Sequence, residues 1–198
     1  MTGRRPRAAP RRAALGVLAG LFLVPSGLGA GTVCTALELP VRRLEPPPSQ
    51  YVDFCERHPG DCTLQGADTL VWTPALAALL ASVNLAVNTE VRFMSDPDYW
   101  GMEEYWSYPE KGYGDCEDYA LEKRCRLIAE GLPSAALTIA IVHHVEEFFP
   151  HAILLVETGA GTFALDNLHP EPMCWSDLPY RWERRERPDG QWTRFERQ

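Results

Sequence analysis

The hydrophobic pattern of this chain changes from a helical period to a strand period after residue 131. Thr73-Pro74 is a capping residue followed by proline, which predicts a helix start, and apolar residues then recur at helical spacing: Leu76, Leu79, Leu80, Val83 and Val87. A second helix is predicted from Asp115 or Cys116 to Gly131. Short apolar or β-branched runs follow at 137–142, 151–156 and 162–166. Helices followed by an antiparallel sheet predict an α+β domain.

The first thirty residues have the layout of a secretory signal peptide. A twelve-residue apolar run at 13–24 is followed by Pro25 and small residues, and it is preceded by Arg4, Arg5, Arg7, Arg11 and Arg12. The run is shorter than the roughly 18 apolar residues that a membrane span requires. We therefore expect a signal peptide at 1–30, cleavage near Ala30, and an exported mature protein with no stable membrane span.

Removal of that segment leaves a strongly acidic chain. The sequence has 19 basic and 27 acidic residues, and five of the basic residues lie in the signal, so 14 basic and 27 acidic residues remain, a net charge of −13. This charge disfavours nucleic acid as a partner and suits a hard cation such as calcium. A proline-rich lead-in at 31–50 contains Pro46-Pro47-Pro48, and residues 51–198 are predicted to form one domain.

Six cysteines gain importance in an exported protein, because the compartment is oxidising. Cys55 and Cys62 flank the turn Pro59-Gly60, at a spacing that favours a small disulfide loop over two free thiols. The spacing does not assign the other four cysteines, which are Cys34, Cys116, Cys125 and Cys174. If one of them stays reduced for chemistry, at least one more is unpaired.

Cys116 is the candidate nucleophile. It lies at the predicted helix start, where Asp115 separates it from the glycine-rich stretch 112–114. Helix N-termini carry partial positive charge and free amides, which lower the pKa of a thiol and can face a developing oxyanion. The alternative is a small buried residue on a helix face. The acidic neighbours Asp115, Glu117 and Asp118 argue against a core position.

His151 and Asp166 are the candidate partners of this thiol. A four-residue loop at 157–160 would pair Val156 with Gly161 and place His151 directly opposite Asp166. Cross-strand partners share one face at about 5 Å, so the carboxylate can orient the imidazole. The same register leaves no acid opposite the neighbouring histidines, His143 and His144.

Cysteine, histidine and aspartate, in that order on helix, strand and strand, form the layout of papain-type and transglutaminase-type enzymes. Several segments carry a closer resemblance: 54–62 (FCERHPGDC), 114–120 (GDCEDYA), His151-Ala152 and 165–168 (LDNL). They resemble the bacterial transglutaminase-like cysteine peptidases of the LapG type, over about residues 50–185.

This resemblance implies a papain/transglutaminase-like core, with the nucleophile helix packed on an antiparallel sheet. It implies a periplasmic, calcium-dependent protease that clips large secreted adhesins, often at an Ala-Ala site, and so affects biofilm attachment. Cys116 would be the nucleophile, His151 the base and then the acid, and Asp166 the orienting carboxylate. Such a protease is expected to need a gate, for example a regulatory membrane-protein partner. The segment Phe148-Phe149-Pro150 departs from the small, glycine-rich approach expected before the histidine, which bears on access and substrate preference.

Calcium also has support from the residues themselves. Asp115, Glu117 and Asp118 place three carboxylates within four positions. Calcium takes about six to eight oxygens, so further ligands are needed; candidates are Glu103, Glu104 and carbonyls near Trp106. The alternative is helix capping, with Asp115 as the cap and Asp118 at the third position.

Two other functions remain open from the sequence. The same thioester intermediate could transfer the acyl group to an amine, as in transglutaminases, or the chain could be a non-catalytic calcium-binding module. Finally, the tail at 181–198 alternates tryptophan with charged residues and is expected to be a solvated terminal strand.

Overall fold

A computed structural model of the chain describes residues 33–198. The predicted signal peptide at 1–30 lies outside the described residues. Within residues 33–198, no helix has both the length and the apolar character needed to cross a membrane. The predicted α+β class is confirmed, because helices pack on a mostly antiparallel set of strands.

The described chain contains four α-helices: α1 (Ser49–Arg57), α2 (Pro74–Glu90), α3 (Asp96–Tyr99) and α4 (Cys116–Ala129). Helix α2 begins as predicted, since the Thr73 side chain accepts a hydrogen bond from the Leu76 N–H at 3.0 Å and proline occupies the first position. Helix α4 begins at Cys116 and ends two residues before Gly131, as the sequence predicted.

The strands are β1 (Val41–Glu45), β2 (Arg92–Phe93), β3 (Tyr113–Gly114), β4 (Leu137–His144), β5 (Pro150–Thr158), β6 (Gly161–Leu165), β7 (Met173–Cys174), β8 (Tyr180–Glu186) and β9 (Trp192–Phe195). Seven of them form an antiparallel sheet in the order β1-β9-β8-β4-β5-β6-β7. Strands β2 and β3 form a separate parallel pair.

The central strands β4 and β5 separate two buried apolar clusters. Their alternate side chains Ile139 and Leu154 pack with residues of α1, α2 and α4. The intervening side chains Ala140 and Leu155 face the other side, where they pack with residues such as Trp182 and Phe195. The period-two alternation thus buries both faces of the central strands, and α4 carries Cys116 on the helical side.

The described residues contain two disulfides, one local and one that joins distant parts of the chain. Cys55–Cys62 is present, as predicted, with its Cα atoms 5.6 Å apart. Cys34–Cys174 joins the lead-in to β7 across 140 residues of sequence, and the lead-in also supplies β1, which pairs with β9. Among the residues that the structure describes, Cys116 and Cys125 are the free thiols.

The expectation of a solvated terminal strand was wrong. The tail forms β8 and β9, and β8 pairs with the central strand β4. Trp182 and Trp192 are buried. The alternation of tryptophan with charged residues is the period-two pattern of a strand with one buried face.

The predicted register of the β5–β6 hairpin was also wrong, by two residues. Thr158 pairs with Gly161, so the turn has two residues instead of four. The Thr158 hydroxyl stabilises this shorter turn, because it donates to the Gly161 carbonyl at 2.7 Å and accepts from the Ala160 N–H at 3.1 Å. A shift of two residues keeps every side chain on its predicted face, so His151 and Asp166 still share one.

Candidate active site

Cys116 is the first residue of α4, and only Asp115 separates it from the short strand β3. Its half-buried thiol donates a hydrogen bond to Glu117 Oε2 at 3.3 Å. The preceding turn requires glycine at position 114, because a Cβ there would lie 2.6 Å from Asp118 Oδ2. The glycine-rich approach therefore lets the backbone pass close to an acidic side chain of α4.

His151 and Asp166 form a buried pair. His151 Nε2 lies 2.8 Å from Asp166 Oδ1, and the two side chains are 3% and 0% exposed. Because an ionised carboxylate only accepts hydrogen bonds, Nε2 carries the hydrogen and Nδ1 is the nitrogen left to exchange a proton. Cys116 and His151 line one cleft of about 560 Å³.

The cleft is lined by both apolar and acidic side chains. The apolar ones include Phe93, Ile141, Phe149, Pro150 and Leu168, and the acidic ones are Glu103, Glu104, Asp115 and Glu117. Phe149, from the segment that departs from the family pattern, lies edge-on to the His151 ring at 5.9 Å. Phe148 beside it is 84% exposed and adopts a φ of +61°. The departure seen in the sequence therefore places aromatic side chains at the approach to His151.

Asp166 is held by several groups that the sequence did not indicate. Its Oδ1 also accepts the Leu168 N–H at 2.9 Å, and its Oδ2 accepts the Tyr180 hydroxyl. The Asn88 amide, on α2, donates to the Asp166 carbonyl at 2.9 Å. Burial alone would raise the pKa of Asp166, but its hydrogen bonds and the charge of His151 hold that pKa below the ordinary value.

A buried lysine lies seven residues after Cys116 on α4. Lys123 is 0% exposed, and its Nζ has no hydrogen-bond partner within the described chain. Burial lowers the pKa of this amine to about 7, against an opposing effect from the charge of Asp166. The helix that carries the thiol thus also carries a basic group into the core.

The surroundings of Cys116 oppose the expected lowering of its pKa. Burial raises the pKa of the thiol well above its ordinary value, and the charges of Glu117 and Asp115 raise it further. The backbone N–H of Ala152 acts in the other direction. The acidic neighbours therefore outweigh the helix N-terminus unless their charge is neutralised.

Those acidic neighbours belong to a cluster that includes a residue missed by the sequence. Carboxylate oxygens of Asp96, Asp115 and Glu117 lie within 4.8 Å of one another. Burial, together with neighbouring carboxylates, raises the pKa of Asp96 to about 6 and that of Glu117 well above its ordinary value. Asp115 Oδ1 and Glu117 Oε1 are buried and have no hydrogen-bond partner in residues 33–198. An all-oxygen donor set with unpaired buried atoms fits a hard cation.

The other predicted metal ligand lies beside this cluster. Asp118 Oδ1 accepts the Ser107 N–H at 2.8 Å, whereas its Oδ2 has no hydrogen-bond partner in the described part of the chain. Burial, with the charges of Asp115 and Asp96, raises the pKa of Asp118 to about 8. Asp115 occupies the cap position of α4 but makes no capping hydrogen bond with the described residues, and its Oδ2 accepts the Asp96 N–H at 3.2 Å. The Asp115 side chain therefore does not cap α4, in contrast to the alternative considered from the sequence.

Comparison with known proteins finds a family with a matching sequence and solved structures with a similar fold. A model of the family described as bacterial transglutaminase-like cysteine proteinase, BTLCP, matches residues 42–198. The fold is similar to that of Legionella pneumophila LapG in a calcium-bound structure, with a TM-score of 0.53, 24% identity, and coverage of 73% of this chain and 90% of that one. An EGTA-treated structure of the same protein gives a TM-score of 0.52 and 24% identity, over 74% of this chain and 78% of that one. A search of curated proteins found no match.

Proposed function

The chain belongs to the family of bacterial transglutaminase-like cysteine proteinases, and we propose that it cleaves its protein substrates with a triad of Cys116, His151 and Asp166. As a member of that family it is a cysteine protease. The observation that carries the assignment is the buried 2.8 Å pair of His151 and Asp166, whose histidine lines one cleft with the free thiol of Cys116.

The chemistry follows from the roles of these three groups. His151 Nδ1 accepts the thiol proton, and the sulfur attacks the substrate carbonyl carbon to give a tetrahedral adduct. The carbon–nitrogen bond then breaks as the imidazolium gives its proton to the leaving amine, which leaves a thioester on Cys116. A water that loses a proton to His151 attacks the thioester, and the sulfur takes that proton back as the acid product leaves. Asp166 keeps Nε2 protonated, so Nδ1 stays available for both transfers.

A calcium site formed by Asp96, Asp115 and Glu117 is the second part of the proposal. It is supported by the close grouping of their oxygens and by the two buried oxygens without partners. Asp118 is a candidate fourth carboxylate through Oδ2, and backbone carbonyls or waters would complete the shell. A bound cation would supply positive charge that offsets these carboxylates next to the thiol. LapG, a structural neighbour, has been solved with calcium bound.

Calorimetric titration of the mature protein with calcium tests this site. Asp96→Asn and Glu117→Gln are each expected to raise the dissociation constant by at least about tenfold, because each removes one charged ligand. Asp98→Asn is the matched control, since Asp98 lies on the same short helix, is exposed, and is not in the cluster. Equal affinity in the two cluster variants and the control would contradict the site.

We further propose that the protein is exported to the periplasm. There it trims a large secreted adhesin and so affects biofilm attachment, under the control of a membrane-protein partner. The disulfides Cys55–Cys62 and Cys34–Cys174 support an oxidising compartment, and the family supports a protein substrate.

N-terminal peptide profiling of surface proteins tests the substrate. Cells that produce the protein are compared with cells that produce Cys116→Ala. We expect a new N-terminus on one large secreted protein with the wild type alone, together with a change in attachment. Identical profiles in both cells would exclude a surface protein as the substrate.

A further inference from the structure

We propose that Tyr180 is a positioning residue that acts on His151 through the carboxylate of Asp166. This inference rests on the proposed triad. Tyr180 lies on β8, 14 residues after Asp166 in sequence, and its hydroxyl donates a hydrogen bond to Asp166 Oδ2. Neither the motif around Cys116 nor the hairpin that carries His151 contains it.

The two oxygens of Asp166 are held unequally. Oδ1 faces two donors, the imidazole of His151 and the N–H of Leu168. Oδ2 receives only the Tyr180 hydroxyl within residues 33–198. Without that hydroxyl, a fully buried carboxylate oxygen has no donor, and such an oxygen is costly to leave unpaired. The carboxylate would then rotate towards its remaining donors, and the imidazole bonded to it would turn with it.

The Tyr180 side chain is buried in the sheet and packs against two histidine rings. Tyr180 pairs with His144 of β4 and is 8% exposed. Its ring lies 5.5 Å from the His144 ring and 5.7 Å from the His151 ring. Phenylalanine at this position keeps those ring contacts and removes one oxygen, so the substitution isolates the hydrogen bond.

The other groups around Asp166 act at different points. Asn88 holds the Asp166 backbone carbonyl and does not reach its carboxylate. Lys123 affects Asp166 through charge, without a hydrogen bond between described residues. Tyr180 is therefore the side chain that sets the orientation of the carboxylate through the oxygen that His151 does not contact.

The test compares Tyr180→Phe with Tyr108→Phe. Tyr108 is a matched control, because its hydroxyl also donates to an aspartate, Asp61 Oδ2 at 2.9 Å, outside the cleft. The first measurement is the rate of Cys116 alkylation by iodoacetamide at pH 7 with calcium, read by peptide mass spectrometry. The second is the ¹⁵N spectrum of the His151 ring, which reports the tautomer.

We expect Tyr180→Phe to lower the Cys116 alkylation rate by about tenfold and to mix the His151 tautomers. Loss of a hydrogen bond to a charged group changes a rate or an equilibrium by a factor of about this size. Tyr108→Phe should change neither. A normal rate and a single tautomer in Tyr180→Phe would overturn the inference and leave the triad standing. A wild-type Cys116 that reacts no faster than Cys125 would instead overturn the triad.

A measurement on the wild type keeps the inference testable if Tyr180→Phe does not fold. The Tyr180 hydroxyl proton should give a slowly exchanging, downfield NMR resonance, because it is buried and bonded to a carboxylate. Its absence from the spectrum would overturn the inference.

Discussion

Replacing Glu186 with glutamine tests how the helix that carries Cys116 is held on the sheet. Arg124 of α4 donates to Glu186 Oε2 of β8 at 2.8 Å, and the two side chains are 1% and 3% exposed. The same carboxylate accepts the Tyr51 hydroxyl of α1 and the Ile139 N–H of β4, the latter at 3.0 Å. Two helices and two strands therefore meet at one buried charge pair.

The size of the effect follows from this burial. Glutamine keeps the shape of the side chain but removes the charge, so the guanidinium of Arg124 stays in the core without a counterion. Removal of one partner of a buried pair costs about 3–5 kcal/mol. With a urea dependence of about 2 kcal/mol per molar, the unfolding midpoint should fall by about 2 M.

Urea unfolding at pH 7, followed by tryptophan fluorescence with both disulfides oxidised, measures this change. Glu183→Gln is the matched control on the same strand, because Glu183 pairs with Arg184 and Arg194 near the surface, where all three side chains are 21–22% exposed. Such pairs contribute about 1 kcal/mol or less. If Glu186→Gln is no more destabilised than Glu183→Gln, the burial argument is refuted.

Three further changes have defined outcomes. Lys123 has a pKa of about 7 in the folded protein, against an ordinary value of 10.5. Above pH 7 the unfolded chain therefore binds more protons than the folded one, and the free energy of unfolding rises with pH. Lys123→Met should remove that rise when urea unfolding is measured from pH 7 to 9, and an equal dependence on pH in variant and wild type would contradict this. Loss of the Cys34–Cys174 disulfide, by serine at both positions, should lower the free energy of unfolding by about 2–5 kcal/mol, because the bond closes a long loop; an unchanged urea midpoint would contradict this. Gly161→Ala should lower the thermal midpoint more than Gly190→Ala. Both glycines have a positive φ, but only at Gly161 would the added Cβ meet a neighbouring backbone atom, the Cys34 carbonyl carbon at 2.6 Å. Equal midpoints would count against that contact.

The elements with local signals could be predicted from the sequence. The start of α2 depends on Thr73 and Pro74, and the start of α4 depends on the glycine turn before Cys116, so both were correct. The faces of His151 and Asp166 were also correct, because a strand alternates with period two. Their register was not, since it depended on a turn length that the Thr158 side chain sets.

The remainder of the site depends on contacts distant in sequence. Asp96 reaches the acidic cluster from 20 residues before Cys116, and Tyr180 reaches Asp166 from another strand. Neither residue lies in a periodic pattern or motif that points to the site. The direction in which the pKa of Cys116 is shifted could not be predicted either, because it depends on how deeply the thiol and its acidic neighbours are buried.

The most direct test of the proposed triad compares the two free thiols in one sample. Cys116 and Cys125 are alkylated together by iodoacetamide in the calcium-loaded mature protein, and each peptide is quantified by mass spectrometry. We expect Cys116 to react at least about tenfold faster than Cys125, and His151→Ala to abolish this difference without changing the rate at Cys125. Equal rates in the wild type, or a fast Cys116 that persists in His151→Ala, would contradict this expectation.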